Sequence, residues 1–133
     1  MNKPYLINFS KIGSPNTGYL SICEKENLIF IPKRIYWTYL TPENIERGGH
    51  AHKELEQILV AVSGKIELTI QTIDGDLYTF ILDHPSIGVF IPKKSWRTMR
   101  YSLNAVQMCF ASLEYDEKDY IRNYDEFSKL ILK

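Results

Sequence analysis

The chain has 133 residues, 44% of them hydrophobic and 13% aromatic, with 16 basic and 16 acidic residues that leave no net charge when His is neutral. That length holds one domain with a real core and is too short for two ordinary ones, so residues 1–133 are read as a single unit. The even charge balance leaves no electrostatic footprint for nucleic acid or an anionic membrane, and neither is expected as a partner.

Strand-like runs separated by turn signals fall at residues 5–9, 19–23, 34–40, 55–62, 65–71, 77–82, 88–91, 96–101 and 105–113. Asp74 and Gly75 between two of them signal a hairpin. Lys65 to Ile70 alternates polar and apolar, as a half-buried strand does. Many short strands at this spacing predict an all-β sandwich or barrel rather than βαβ units. Trp37, Tyr39 and Phe90 read as core aromatics, with stacking on a base as the other use of such a ring. His84, in Asp83-His84-Pro85, reads as a solvated turn residue. From Asn123 onward Tyr124, Phe127, Leu130 and Ile131 recur at helical spacing, and Asp125 and Glu126 favour a first turn, which predicts a short amphipathic C-terminal helix.

Cys23 and Cys109 are too few and too far apart for a disulfide framework and read as buried free thiols. No basic-then-apolar leader opens the chain, and no apolar run approaches about 18 residues. A soluble cytoplasmic protein is the expectation.

The chemistry concentrates around His50 and His52, in the run Arg47-Gly48-Gly49-His50-Ala51-His52-Lys53-Glu54-Leu55-Glu56-Gln57. Two residues apart on a strand, both imidazoles project to one face. Gly48 and Gly49 would leave room for a ligand to approach the backbone. Arg34, Arg47 and Lys53 flank this region and Lys93, Lys94, Arg97 and Arg100 form a second basic segment, a pattern suited to a phosphorylated or nucleotide-bearing small molecule.

The spacing resembles the cupin superfamily, small β-barrels whose first motif is G-x5-H-x-H-x3/4-E-x6-G and whose second is G-x5-P-x-G-x2-H-x3-N. His50 and His52 supply the first pair, Gln57 stands at the carboxylate position, and Gly64 closes the motif. In the second, Pro92-Lys93-Lys94-Ser95-Trp96-Arg97 follows Gly88, so Arg97 falls where a third histidine would stand. Gln57 is a poor ligand, and Arg97 is a cation without a lone pair. A divalent ion would be repelled, and no metal or other cofactor is expected. The two histidines are left for proton chemistry, with Arg97 disfavouring their charged forms and available to a developing oxyanion.

With Lys33-Arg34-Ile35-Tyr36, Pro85-Ser86-Ile87-Gly88, Trp96-Arg97-Thr98-Met99 and the run from Glu114 to Asp125 added, the chain resembles the cupin-type sugar-nucleotide 3,4-ketoisomerases. The resemblance implies an RmlC-like jelly-roll β-barrel with a short C-terminal helix, acting on dTDP-4-keto-6-deoxy-glucose through an enediol. It implies a homodimer, with N-terminal strands exchanged between subunits as one arrangement. His52 is assigned as the base, His50 as its partner in proton transfer and Tyr36 as a hydroxyl donor. Arg34, Arg47 and Lys53 are assigned to the diphosphate, with Gln57, Thr17 and Trp96 also at the substrate. In the resemblance an Arg after this Trp goes with the gluco product, dTDP-3-keto-6-deoxy-glucose on the route to 3-amino-3,6-dideoxy-glucose sugars, and a His with the galacto epimer. Thr17 departs from the larger Tyr or Arg of relatives, and Tyr19 is the residue placed to replace it. The alternatives are the galacto product, a metal-dependent cupin, and a non-catalytic cupin that binds a sugar nucleotide.

Overall fold

The continuous apolar run after Gln57 needs cover on both faces, and the fold supplies it. In the computed structural model, which describes residues 3–131, the strands are β1 (Tyr5–Asn8), β2 (Ser10–Ser14), β3 (Gly18–Ile22), β4 (Arg34–Thr38), β5 (Glu46–His52), β6 (Gln57–Ser63), β7 (Ile66–Gln71), β8 (Leu77–Leu82), β9 (Ile87–Ile91), β10 (Trp96–Tyr101), β11 (Val106–Ala111) and β12 (Tyr120–Ile121), followed by the helix α1 (Tyr124–Ser128). They form two five-stranded antiparallel sheets, ordered β1-β9-β6-β11-β4 and β12-β5-β10-β7-β8, with β2 and β3 as a separate hairpin. This is the jelly-roll sandwich of the cupins, with the described strands in two facing sheets rather than a closed barrel.

Inward residues of both sheets share one core. Leu59 and Ala61 from β6, Ile66, Leu68 and Ile70 from β7, Val89 and Ile91 from β9 and Cys109 from β11 meet there. The other face of β6 is covered as well: Ile58 and Val60 pack with Ile7, Phe9 and Phe90. A third cluster, Ala51, Ile121 and Phe127 with Trp96 packed against it, seats α1 on the back of the second sheet. The helix begins where Asn123 accepts the Glu126 N–H at 3.1 Å, so an uncharged side chain caps it while Asp125 and Glu126 face its dipole. Only Phe127 of its apolar face is fully buried.

Some expectations for single residues are corrected and others hold. Trp37 and Tyr39 point away from the core and are 56% and 59% exposed, because Arg34, Tyr36 and Thr38 take the inward positions at the first sheet's edge. Phe90 is a core aromatic as expected, 2% exposed, in the cluster on the outer face of its sheet. Cys23 is only half-buried, whereas Cys109 is buried as a free thiol. His84 is an exposed turn residue whose Nδ1 accepts the Ser86 N–H at 3.0 Å. Among the described residues no helix is long and apolar enough to cross a membrane.

Candidate active site

The histidine strand owes its position to a bulge. β5 pairs with β10 through Arg97 opposite His50 and then Thr98 opposite Gly48, so Gly49 is the extra residue. Gly48 and Gly49 have φ of +85° and +70°, which side chains rarely adopt. A Cβ on Gly48 would lie 2.7 Å from the Arg97 carbonyl. The two glycines therefore let β5 press against β10 beyond the bulge, and at Gly48 the space is filled by the neighbouring strand rather than by a ligand. This register sets His50 directly across from Arg97.

The two imidazoles lie edge to face with centroids 4.9 Å apart, and the Tyr120 ring packs on both, 4.3 Å from His52 and 5.1 Å from His50. His52 is 1% exposed. Its Nδ1 lies 3.2 Å from Oδ2 of Asp119, and the same carboxylate accepts the backbone N–H groups of Glu54 at 2.8 Å and Leu55 at 3.2 Å. A carboxylate already engaged as an acceptor calls for a donor from the ring, so the neutral tautomer carries its proton on Nδ1 and leaves Nε2 as a lone pair. That Nε2 is buried with no partner among the described residues.

Arg97 is fully buried. Its Nη1 donates to Oε1 of Gln57 and its Nε to the Ser95 carbonyl at 3.2 Å, while Nη2 has no partner among the described residues. Burial lowers its pKa to about 10, which still leaves a cation at neutral pH. Gln57 is equally buried and spends its Nε2 on the Tyr36 hydroxyl at 2.8 Å and on Sγ of Cys109 at 3.2 Å. Burial raises the Tyr36 pKa far above the usual phenol range, so its hydroxyl stays protonated.

The same environment keeps the histidines neutral. His50 is lowered to about 4, first by burial and then by the Arg97 charge, against an opposing contribution from the Gly48 backbone. His52 is lowered to about 2 by burial, Arg97 and His50 in that order. Between the unfolded value near 6.5 and these folded values the unfolded chain binds more protons, so stability is retained above about pH 6.5 and declines as pH falls below it. Thermal midpoints measured from pH 7.5 to 4.5 are expected to fall, with a shallower decline in His50→Asn and His52→Asn.

A cleft of about 420 Å³ opens over this group, lined by Arg34, Tyr36, Arg47, His50, Tyr120 and Arg122 among others. Arg34 sits over the Tyr36 and Tyr115 rings, its guanidinium carbon 5.1 Å and 5.7 Å from their centroids. Its Nε and Nη2 are buried without partners among the described residues. Buried donors left open by the protein are accounted for when a ligand supplies the acceptor. Arg122 lies 4.0 Å over the Tyr120 ring and is paired with Glu117 at 2.6 Å and 2.9 Å.

The fold thus brings together His50, His52, Tyr36, Gln57, Arg97, Arg34 and Arg47. It sets three candidates apart. Lys53 is exposed and does not line the cleft. Trp96 alternates with Arg97 to the other face of β10, where its ring packs 5.3 Å from Tyr124 and 5.9 Å from Phe127. Thr17 is exposed in the β2–β3 turn, its hydroxyl 3.0 Å from that of Ser14. Asp119, Tyr120 and Arg122 were assigned no role from sequence. Their signal is the 114–125 run, in which Asp119 reads as one more surface acid until β12 pairs Tyr120 with His52.

A jelly roll that gathers a histidine pair, a buried arginine and a glutamine at one cleft defines the class: a cupin. Residues 2–131 match the family described as FdtA, WxcM-like, C-terminal. The TDP-4-oxo-6-deoxy-alpha-D-glucose-3,4-oxoisomerase of Aneurinibacillus thermoaerophilus is 40% identical over 130 residues, covering 96% of this chain and 92% of that protein. A crystal structure of a 3,4-ketoisomerase from Helicobacter canadensis superposes with a TM-score of 0.90 at 37% identity, covering 98% of both chains. The Thermoanaerobacterium thermosaccharolyticum 3,4-ketoisomerase QdtA, solved as a histidine-to-asparagine mutant in complex with TDP-4-keto-6-deoxyglucose, gives 0.88 at 32% identity, covering 96% of this chain and 93% of that one. The chain belongs to the FdtA family and is an isomerase of the 3,4-ketoisomerase class.

Proposed function

We propose that the protein converts dTDP-4-keto-6-deoxy-D-glucose to dTDP-3-keto-6-deoxy-D-glucose without a metal, using His50 and His52 as proton carriers. The observation that carries this reading is a pair of imidazoles packed edge to face beside a buried arginine whose Nη2 has no partner among the described residues. His52, its tautomer fixed by Asp119, takes the C3 proton; the C3–H electron pair forms the C3–C4 double bond and the C4 carbonyl oxygen becomes an oxyanion. Arg97 stabilises that charge and the protonated Tyr36 hydroxyl donates to it. The proton of the C3 hydroxyl passes to the C4 oxygen, and His50, which lines the cleft, takes part in returning a proton to the C4 carbon, so a C3 ketone and a C4 hydroxyl replace the C4 ketone and the C3 hydroxyl and no redox partner is consumed. Arg34 and Arg47 hold the diphosphate, the unpartnered Nε and Nη2 of Arg34 being the donors that call for it. The product is a precursor of 3-amino-3,6-dideoxy-glucose sugars. A free buried Cys109 suits a reducing, cytoplasmic setting.

Incubation with the 4-keto substrate in deuterated water is expected to wash deuterium into the sugar at C3 and to form a 3-keto product. Absence of C3 exchange removes the isomerase reading and leaves a sugar-nucleotide-binding cupin. His52→Asn is expected to abolish exchange while keeping the fold. A stoichiometric ion in metal analysis of the purified protein, bound by the two histidines, points instead to a metal-dependent cupin.

A homodimer belongs to the same proposal. Ile35 and Trp37 of β4, with Tyr39 just beyond it, present an exposed apolar stripe, which a second copy would cover. Sedimentation that gives a 15.5 kDa species at micromolar concentration counts against it.

A further inference from the structure

Arg97 occupies an electrostatic position that a folded chain ordinarily avoids. A fully buried guanidinium is costly unless a carboxylate neutralises it, and none does so here among the described residues. The groups that face it from the first sheet are Tyr36, Gln57 and Cys109; those from the second are His50, His52 and Tyr120, with Asp119 from the turn that leads into β12. Tyr36 and Cys109 are acids, but burial keeps the phenol protonated and pushes the thiol up to about 11. Asp119 is the one carboxylate in this group, and its oxygens are engaged by His52 and two backbone N–H groups. The side chain in direct contact with the arginine is the neutral amide of Gln57.

We infer that Gln57 is a positioning residue for catalysis: its amide oxygen anchors the Arg97 guanidinium while withholding the negative charge that a carboxylate at that place would bring, so the full cation remains available to the oxyanion of the reaction. The inference rests on the isomerase reading above and deepens it. Both ends of the Gln57 amide are engaged within the protein, Nε2 with Tyr36 and Cys109 and Oε1 with Arg97. Its work is done through Arg97. A glutamate would be nearly isosteric. One of its oxygens would take the Arg97 Nη1 and the other the Tyr36 hydroxyl, which can turn its proton round to donate. The site would then hold a satisfied ion pair, a better arrangement for folding and a poorer one for stabilising an anion.

The test uses Gln57→Glu and Gln57→Leu in the full chain. Gln57→Glu is expected to melt at or above the wild-type temperature, to lose about 10²-fold or more in kcat with KM changed less than about 3-fold, and to move the His50 titration, read by NMR, upward by about one pH unit or more. Gln57→Leu removes the hydrogen bonds without adding charge. It is expected to melt lower, to leave the His50 titration depressed, and to keep at least about tenfold more kcat than the glutamate variant. Equal losses of kcat in the two variants, an unmoved His50 titration in Gln57→Glu, or failure of that variant to fold each overturn the inference, since an added ion pair at this place ought to stabilise the site. If the wild-type protein shows no C3 exchange the isomerase reading fails. The histidine titrations still decide whether Gln57 sets the charge around Arg97.

Discussion

Asp119→Asn is expected to lower kcat by about 10³ to 10⁴-fold, with KM near the wild-type value and the fold intact, an effect of the size known for the wrong tautomer in a carboxylate–histidine pair. The carboxylate has two oxygens and three donors around it: the Glu54 N–H, the Leu55 N–H and Nδ1 of His52. An amide cannot accept on both sides. If its NH₂ turns toward His52, it opposes the Leu55 N–H, donates to Nδ1, drives the ring proton to Nε2 and removes the lone pair assigned to proton abstraction. If it turns the other way, it opposes the Glu54 N–H and costs about 1–3 kcal/mol of stability. Nitrogen chemical shifts of the His52 ring separate the two outcomes, because the wild type is expected to carry its proton on Nδ1. A variant with that tautomer unchanged and kcat unchanged would remove Asp119 from the mechanism.

Asp119 also marks where sequence reading stops. The alternation of Ile66, Leu68 and Ile70 and the apolar run of β6 are local patterns, and both were legible because burial repeats with the strand period. β5 was not legible as a complete strand: Glu46-Arg47-Gly48-Gly49 has no apolar period and is held extended by its pairing with β10. The same register that completes β5 brings Arg97 opposite His50, a contact between residues far apart in the chain. Gln57 and Arg97 could be singled out by residue type, since each lacks what a metal ligand needs. Their mutual contact, and the absence of a carboxylate beside it, needed the packing of β6 against β10. Trp37 and Tyr39 failed for a related reason, since aromatic character does not say which face of an edge strand is inward, and here the smaller polar set of Arg34, Tyr36 and Thr38 lines the cleft.

The second large effect is expected at Arg97. The wild-type enzyme is predicted to give a single gluco-configured product, and Arg97→His to give a measurable galacto component with kcat lower by about 10² to 10³-fold. Two properties of the side chain separate here. As a charge, Arg97 is fixed, since even with its pKa lowered to about 10 it remains protonated at neutral pH. As an acid it is therefore nearly inert, and a proton reaching C4 has to come from the His50 and His52 side. A histidine in the same place reverses both properties. It is neutral for most of the time, which weakens oxyanion stabilisation, and it can hand over a proton from its own side of the ring. The rate should fall because the cation is lost, and the stereochemistry should loosen because a second proton donor is gained. Thr17 does not complicate the comparison within one chain, being exposed in the β2–β3 turn and held to Ser14. The H4–H5 coupling of the product, large for gluco and small for galacto, reads the configuration directly. A slow Arg97→His variant that still yields only the gluco product would mean that Arg97 supplies charge alone and that the face of protonation is set by how the cleft holds the sugar.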